Sequence, residues 1–212
     1  MVEVKVCGIN TAEAMKAANE AEFVGFVFYQ KSSRFINADT AKKLSELSPK
    51  SQKMVGLFVD TENNVIEYIT ELVGLDIIQL HGKETIEKIN YLKKKLKKPI
   101  IKSVPVSSKN DIKKYKDYKG VCDMFLFDSS PIGQEIPGGS GEKFDWEILK
   151  NFKISNKWML AGGLSIENLV EALKITKAPI VDVSSGLEKE KGIKCPKKIK
   201  KFVQLAHSIR YV

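Results

Sequence analysis

The chain has 212 residues, of which 43% are hydrophobic and 29% are charged, and its formal net charge is +9. This length allows one sizeable hydrophobic core, and no apolar run approaches the roughly 20 residues that a membrane-spanning helix needs. The N-terminal residues lack the pattern of a secretory leader, and the three cysteines show no metal-ligand spacing. We therefore expect a cytoplasmic protein that has no membrane contact and holds no metal.

The basic excess comes almost entirely from lysine, because Arg34 and Arg210 are the only arginines among the 35 basic residues. The lysine clusters at Lys93–Lys98 and Lys197–Lys201 lie beside apolar residues at helical spacing, which is typical of a solvated helix surface. A groove that follows phosphates would instead interleave its cations with aromatic residues. Nucleic-acid binding is therefore not expected, although the positive field can attract a small anionic substrate.

Short apolar segments alternate with amphipathic segments along the whole chain. Eight of the apolar segments are predicted to be strands, at Val2–Val6, Phe23–Phe28, Met54–Val59, Asp76–Leu80, Pro99–Val104, Met124–Phe127, Lys157–Leu160 and Pro179–Val183. Helical spacing of apolar residues predicts helices between and after them, around Ala14–Ala21, Leu44–Leu47, Val65–Val73, Ile86–Leu96, Asn110–Tyr118 and Asp145–Lys150, then one capped by Ser165 and a last one opened by Pro196.

Eight strand–helix alternations without a linker predict a single α/β domain over residues 1–212, built as a closed (β/α)8 TIM barrel. Met124–Phe127 supports this architecture, because an unbroken apolar run suits a strand that is buried on both faces. A doubly wound open sheet is the alternative. It is disfavoured because no Gly-x-Gly-x-x-Gly follows the first strand.

Polar residues collect where the predicted strands end. Barrels of this kind build their active sites at the carboxyl ends of the strands, and those ends carry Cys7, Arg34, His81, Asp128 and Asp182. Each has a plainer explanation alone: a lone cysteine is usually a small buried hydrophobe, and Asp128 can cap a helix. Their occurrence at one predicted rim favours an active site.

Turns rich in glycine and serine follow the last two strands. Barrels often bind a phosphate there through backbone N–H groups that small residues leave exposed. The alternative is that the glycines only make tight turns. The phosphate-binding candidates are Gly162, Gly163, Ser184, Ser185 and Gly186, together with Gly139 and Gly141 in the long loop after Asp128.

Arg34 is informative because the chain otherwise uses lysine at nearly every basic position. A planar guanidinium engages a carboxylate through two parallel hydrogen bonds and can stack on an aromatic ring, and an ammonium does neither as well. An anionic aromatic ligand would use both properties.

Six motifs occur in order along the chain: Val4–Ile9, Gly25–Phe28 with Ser32–Arg34, Gln79–Gly82, Gly139–Gly141 with Phe144–Trp146, Ala161–Leu164, and Asp182–Glu188. In these motifs the sequence resembles the phosphoribosylanthranilate isomerases. The resemblance implies a barrel enzyme of tryptophan biosynthesis that converts phosphoribosylanthranilate to its ribulose form by an Amadori rearrangement, without a cofactor. Its partner would be this small molecule, and we expect a monomer, with a dimer left open.

The resemblance also implies roles for single residues. Cys7 would be the general base, Asp128 the general acid, and Arg34 the residue that binds the anthranilate carboxylate. The phosphate would lie at the last two strand ends, and His81 and Asp182 are expected to line the substrate site. This chemistry is sound, since a carboxyl group can protonate a furanose ring oxygen and a thiolate can remove the acidified sugar proton.

The sequence departs from the family pattern at three positions, with Cys195 in place of aspartate, Ser140 in place of threonine and Ser33 in place of proline. Two other readings stay open. A related barrel isomerase of histidine synthesis performs the same rearrangement. A chain that resembles it would have a carboxylate at both catalytic strand ends, and Cys7 argues against this alternative. A non-catalytic protein that binds polyanions would explain the charge but not Cys7, Asp128 and the glycine turns together.

Overall fold

In a computed structural model of the chain, which describes residues 1–128, 145–150, 152 and 154–210, eight parallel strands close into a barrel in chain order. The strands are β1 Glu3–Cys7, β2 Phe23–Val27, β3 Lys53–Phe58, β4 Ile77–Leu80, β5 Ile100–Pro105, β6 Met124–Asp128, β7 Lys157–Leu160 and β8 Ile180–Val183. Pairing of β8 with β1 closes the barrel. The predicted (β/α)8 barrel is confirmed, and every predicted strand matches an observed one to within a single residue at each end.

Helices pack against the outside of the strands and complete the main hydrophobic core. They are α1 Ala12–Ala17, α2 Ala38–Ser45, α3 Asn63–Val73, α4 Ile86–Leu96, α5 Lys109–Lys113, α6 Tyr115–Tyr118, α7 Leu169–Thr176 and α8 Pro196–Ser208. None of the helices in the described part of the chain is both long and apolar enough to cross a membrane.

Helices α1 and α2 end at Ala17 and Ser45, before the predicted Ala21 and Leu47, and three further elements differ in kind or in starting point. The segment Asn110–Tyr118 forms two short helices rather than one, and a turn of 3-10 helix at Trp146–Ile148 stands where a short helix was expected. The helix predicted to be capped by Ser165 begins later, because Asn168 is the N-cap of α7. The Asn168 side chain accepts the Ser165 N–H at 2.8 Å, so the intervening residues form a turn.

A small hairpin between β8 and α8 was not predicted. Its strands, β9 Glu188–Glu190 and β10 Ile193–Lys194, pair in antiparallel fashion. The sequence of this segment is mostly charged and gives no apolar alternation, which explains why the prediction missed it. Only a turn of 3-10 helix, Ser185–Leu187, separates the hairpin from the end of β8, so the hairpin lies at the rim where the active site was expected.

Alternate residues of the strands point into the barrel and fill it in layers of four, each layer drawn from every second strand. The strand register places the lower layers as Phe23, Ile77, Met124 and Ile180, then Lys5, Val55, Ile101 and Met159. Above them lie Gly25, Gln79, Leu126 and Asp182, then Cys7, Leu57, Ser103 and Ala161, and at the rim Val27, His81, Asp128 and Ser184. Polar side chains thus concentrate in the upper half of the barrel, and Lys5 alone breaks the apolar lower half.

Helix α8 has Cys195 as its N-cap, which confirms the predicted start at Pro196. The Cys195 backbone is extended, with φ −101° and ψ 110°, but its side chain makes no capping hydrogen bond. By contrast, Thr11, Asn37 and Thr85 each accept a backbone N–H at the start of their own helices. The first free N–H groups of α8 therefore have no side-chain acceptor at the cap.

We predict that Cys195→Asp stabilises the protein by about 1 kcal/mol, because a carboxylate accepts these N–H groups and favours the positive end of the helix dipole. The midpoint of urea unfolding measures the effect. Cys195→Ala is the matched control, since it removes the thiol without adding an acceptor, and it should not raise the midpoint. An equal rise in both variants would show that losing the thiol, rather than gaining a cap, is what stabilises.

Candidate active site

The five side chains predicted at the rim lie at the carboxyl ends of the strands. Cys7 and Asp128 are the last residues of β1 and β6, His81 follows β4 directly, Asp182 lies in β8, and Arg34 lies in the loop after β2. Cys7, Asp128, Arg34 and Asp182 are each no more than 9% exposed. The structure therefore brings these residues to one end of the barrel, where a bound molecule would be shielded from water.

A buried ion pair lies beneath the Cys7 thiol. The Lys5 ammonium donates to Asp182 Oδ1 at 2.9 Å, and the Lys5 side chain lies beside the Cys7 sulfur over Gly25. Burial raises the pKa of the Cys7 thiol above its usual value, and the Lys5 ammonium works against this rise. Burial alone would lower the pKa of Lys5, but the Asp182 carboxylate outweighs it and the pKa is raised. Lys5 therefore stays charged inside the barrel.

His81 connects Asp128 with residues of the two layers below the rim. Its Nε2 lies 3.4 Å from Asp128 Oδ2 and 3.4 Å from Ser103 Oγ, and its Nδ1 lies 3.0 Å from Gln79 Nε2. An amide nitrogen can only donate, so with Gln79 in this orientation Nδ1 accepts. The proton of the neutral imidazole then sits on Nε2, on the side of the ring that faces Asp128.

The Arg34 guanidinium is held by Glu188 of the hairpin. Nε donates to Oε1 at 2.6 Å and Nη2 donates to Oε2 at 3.1 Å, and the Lys194 ammonium donates to the same Oε1 at 2.9 Å. Although burial opposes the change, Arg34 and Lys194 lower the pKa of Glu188. Glu188 thus occupies one edge of the guanidinium, and Nη1 on the other edge has no hydrogen-bond partner among the residues that the structure describes.

Close contacts tie the loops after β1 and β2 to the hairpin. The stem of Arg34 lies over Gly8, where an added Cβ would be 2.8 Å from Arg34 Cδ. Asn10 Nδ2 donates to the Gly192 carbonyl at 3.0 Å, and an added Cβ on Gly192 would collide with the Ser33 carbonyl oxygen. Arg34 is therefore positioned by three segments of the chain.

The turns after β7 and β8 also touch each other. Gly162 and Gly163 have left-handed backbones with φ 86° and 61°, and an added Cβ on Gly186 would collide with the Leu164 carbonyl oxygen. Glycine is required here because the two turns approach so closely. The predicted phosphate candidates of these turns are thus neighbours in space.

Backbone donors are available in these turns. Among the hydrogen bonds of the described residues, the N–H groups of Gly163, Ser185 and Gly186 have no protein acceptor. The Ser184 hydroxyl is already engaged, since it donates to the Cys7 carbonyl at 3.1 Å and accepts from Lys194. The other two candidates, Gly139 and Gly141, lie outside the described residues. Within the part of the chain that the structure covers, no group of three or more His, Cys, Asp or Glu side chains is arranged to hold a metal ion.

Comparison with known proteins bears directly on the identity of this site. The family model described as N-(5'phosphoribosyl)anthranilate (PRA) isomerase matches residues 4–205. The chain belongs to the phosphoribosylanthranilate isomerase family. The resemblance drawn from the sequence is confirmed, and with it the predicted class of enzyme, an isomerase of tryptophan biosynthesis.

Individual relatives agree with the family match. An N-(5'-phosphoribosyl)anthranilate isomerase from Paramagnetospirillum magneticum is 42% identical over 212 residues and covers 99% of each chain. The solved phosphoribosyl anthranilate isomerase from Thermotoga maritima is 35% identical, with a TM-score of 0.88, over 99% of this chain and 100% of that one. A solved phosphoribosyl anthranilate isomerase in complex with reduced 1-(o-carboxyphenylamino)-1-deoxyribulose 5-phosphate is 32% identical, with a TM-score of 0.83 and the same coverage.

Sequence reasoning missed four polar residues of this isomerase site: Lys5, Gln79, Glu188 and Lys194. For two of them a signal was present. Lys5 and Gln79 precede Cys7 and His81 by two residues on their strands, so the alternation of side chains already places them inside the barrel. Glu188 and Lys194 carried no such signal, because only the fold brings them to Arg34.

We predict that Glu188→Gln lowers the free energy of unfolding by about 1.5–3 kcal/mol, the scale of hydrogen bonds to a charged group. The reason is that Arg34 and Lys194 then share a neutral acceptor. Because Arg34 also loses its orientation, KM for the substrate of the isomerase should rise. Urea unfolding and steady-state kinetics measure both effects.

Glu190→Gln is the control for Glu188→Gln, since it changes an exposed glutamate of the same hairpin. It should leave stability and KM unchanged. If the two variants behave alike, the contacts of Glu188 with Arg34 and Lys194 do not position the arginine.

Proposed function

We propose that this isomerase converts N-(5-phosphoribosyl)anthranilate to 1-(2-carboxyphenylamino)-1-deoxyribulose 5-phosphate, with Asp128 as general acid and Cys7 as general base. One observation carries the proposal: a carboxyl group and a thiol end two strands of the same barrel, both directed inside and both shielded from water. An Amadori rearrangement needs one group that donates a proton and another that removes one.

The first step opens the furanose ring. Asp128 delivers a proton to the ring oxygen, the bond between that oxygen and the anomeric carbon breaks, and the anthranilate nitrogen becomes an iminium. His81 supports this step, because its Nε2–H lies on the side of the ring that faces Asp128 and can stabilise the carboxylate left behind. His81 is thus proposed to lie beside the acid and to line the substrate site.

The second step removes a proton from the sugar carbon next to the iminium. The Cys7 thiolate takes this proton, and the electrons of the C–H bond form the double bond of an enolamine, which then tautomerises to the aminoketone. Because burial raises the pKa of the Cys7 thiol, the thiolate fraction grows as pH rises through the neutral and alkaline range. The rate of this step is therefore expected to increase with pH.

The remaining residues would orient the substrate. The free edge of the Arg34 guanidinium is suited to the anthranilate carboxylate, and Asp182 Oδ2 is available to a sugar hydroxyl while Oδ1 accepts from Lys5. The phosphate would be held by backbone N–H groups in the turns after β7 and β8. The proposed phosphate-binding residues are Gly162, Gly163, Ser184, Ser185 and Gly186, with Gly139 and Gly141 from the segment outside the described residues.

Two broader expectations accompany this function. The enzyme would act in the cytoplasm as a monomer, with a dimer left open, and the phosphosugar–anthranilate would be its small-molecule partner. The free cysteines Cys7, Cys122 and Cys195 support a reducing compartment, since oxidising compartments favour paired cysteines.

We predict that the wild-type enzyme consumes freshly prepared phosphoribosylanthranilate, followed by its anthranilate fluorescence, and that Asp128→Asn abolishes this turnover. Asparagine keeps the shape of the side chain but has no acidic proton, so the loss should fall on kcat and leave product binding within roughly tenfold. Near wild-type kcat in Asp128→Asn would remove Asp128 from the mechanism.

Cys7→Ser should be nearly inactive, because a hydroxyl is a far weaker base than a thiol. The same assay over a range of pH should show the wild-type rate rising toward alkaline pH and no comparable rise for the variant. Cys122→Ser is the control, since Cys122 is buried away from the rim, and it should retain turnover. Full activity of Cys7→Ser would eliminate the thiol as the base.

Arg34→Lys should raise KM for the anthranilate-bearing substrate, although the charge is kept. The expected loss of binding free energy is about 1.5–3 kcal/mol. An ammonium cannot hold Glu188 on one edge and a substrate carboxylate on the other. Lys31→Arg, an exposed change in the same loop, serves as the control and should leave KM alone. Unchanged kinetics in Arg34→Lys would exclude contact between Arg34 and the carboxylate.

A further inference from the structure

A lysine–aspartate pair lies inside the barrel below the Cys7 sulfur. Lys5 precedes Cys7 by two residues in β1 and therefore points to the same side of the strand. Asp182 is its register partner in β8, and the 2.9 Å contact joins a fully buried lysine side chain to a carboxylate that is 10% exposed. The pair belongs to the interior of the barrel rather than to the shell of helices.

Stability alone does not account for this pair. The other members of the Lys5 layer are Val55, Ile101 and Met159, and all three are completely buried. Moving an ammonium into such surroundings is costly, and replacing a buried ion pair by well-packed apolar side chains is often neutral or stabilising. An aliphatic residue at position 5 would complete the apolar layer. The charge is better explained by its effect on a neighbouring group.

That neighbour is the Cys7 sulfur. The two side chains lie next to each other over Gly25, where an added Cβ would be 3.0 Å from Cys7 Sγ and 3.3 Å from Lys5 Cε, and the charge of Lys5 lowers the pKa of the Cys7 thiol. The missing side chain of Gly25 leaves room for the Lys5 stem beside the sulfur. The ammonium that is bonded to the Asp182 carboxylate therefore lies next to the Cys7 thiol.

We propose that Lys5 is a positioning residue that stabilises the thiolate of Cys7 during proton transfer, with Asp182 holding the Lys5 ammonium in place. This inference rests on the role proposed above for Cys7 as the general base. In the step concerned, the S–H bond forms as the sugar C–H bond breaks, and the released electron pair forms the enolamine double bond and neutralises the iminium. Lys5 keeps its own proton throughout.

Three charged groups act on the sulfur, namely Lys5 from β1, Asp182 from β8 and Lys194 from β10. The two lysines favour the thiolate, whereas Asp182 and burial disfavour it. Lys194 is held by the Ser184 carbonyl and by Glu188, and Lys5 is the cation with the larger effect on the sulfur. Without the charge of Lys5, burial and Asp182 act on the thiol in the same direction.

The test measures the Cys7 thiolate directly, by its ultraviolet absorbance as pH is raised in the substrate-free protein. The same protein with Cys7→Ser serves as the blank, which removes the contributions of other cysteines and of tyrosines. Lys5→Met keeps the length of the side chain and removes its charge. We expect the midpoint of the Cys7 thiolate titration in Lys5→Met to lie about 1–3 pH units above the wild-type midpoint, because an adjacent opposite charge has an effect of this size. At neutral pH, kcat should fall by about tenfold or more, since one unit is a tenfold change in thiolate, with little change in KM.

A second variant guards against misfolding, because Lys5→Met leaves Asp182 buried without its cation. Lys5→Met with Asp182→Asn removes both charges, and its midpoint should lie between those of wild type and Lys5→Met. A midpoint or kcat in Lys5→Met that equals the wild-type value overturns the proposal.

Lys102→Met is the matched control, since it breaks a similarly buried pair, Lys102 with Glu84 at 2.8 Å, away from the Cys7 sulfur. It should leave the Cys7 midpoint unchanged, and a shift of equal size there would overturn the proposal by showing a general loosening of the barrel. Failure of the base assignment is distinguishable: it would appear as retained turnover in Cys7→Ser, whereas the titration reports on the sulfur without any turnover.

Discussion

The hydrogen bonds between the first and the last barrel strands are the interaction on which this molecule depends. They join Glu3–Val6 to Ile180–Val183 and leave the barrel without an open sheet edge. They also set Lys5 against Asp182 across a sequence separation of 177 residues, and they bring the Ser184 hydroxyl to the Cys7 carbonyl. The proposed base, its neighbouring ion pair and one proposed phosphate-binding turn are therefore all assembled by a single strand pairing.

The two ends of the barrel interior serve different physical purposes. The lower layers are packed with apolar side chains such as Val55, Ile101 and Met159, which are fully buried and provide stability through removal of apolar surface from water. The upper layers hold Gln79, Asp182, Cys7 and their neighbours, where polar groups are kept out of water in fixed positions. Such groups weaken a fold unless they are paired, so the rigid wall beneath them is a condition for the site.

The barrel and most of its rim follow from local sequence patterns. Met124–Phe127 is apolar on both faces, which indicates a parallel strand that is covered by helices. Alternation along this strand then directs Asp128 into the barrel. Cys7 and His81 are placed in the same way, by counting along their strands. Alternation thus predicts which residues face inward, and this is why Cys7, His81 and Asp128 lie at one rim of the barrel.

The contacts between these residues do not follow from local patterns. The partner of Lys5 is set by barrel closure, and the partner of Arg34 is a glutamate in a charged segment that resembles a solvated turn. The start of α7 was misplaced because the side chain of Asn168, rather than that of Ser165, holds the preceding turn. In each case the deciding interaction joins segments or side chains whose spacing in the sequence carries no periodic signal.

The ties among the loops after β1, β2 and β8 bear on how such a barrel can be altered. Loops of (β/α)8 enzymes are often regarded as interchangeable parts mounted on a common wall. Here Arg34 rests on Gly8 and bonds to Glu188, while Gly192 packs on the Ser33 carbonyl. A loop grafted at any one of these positions would lose its contacts with the other two. Any transfer of this rim to another barrel therefore has to include the loops after β1, β2 and β8 together.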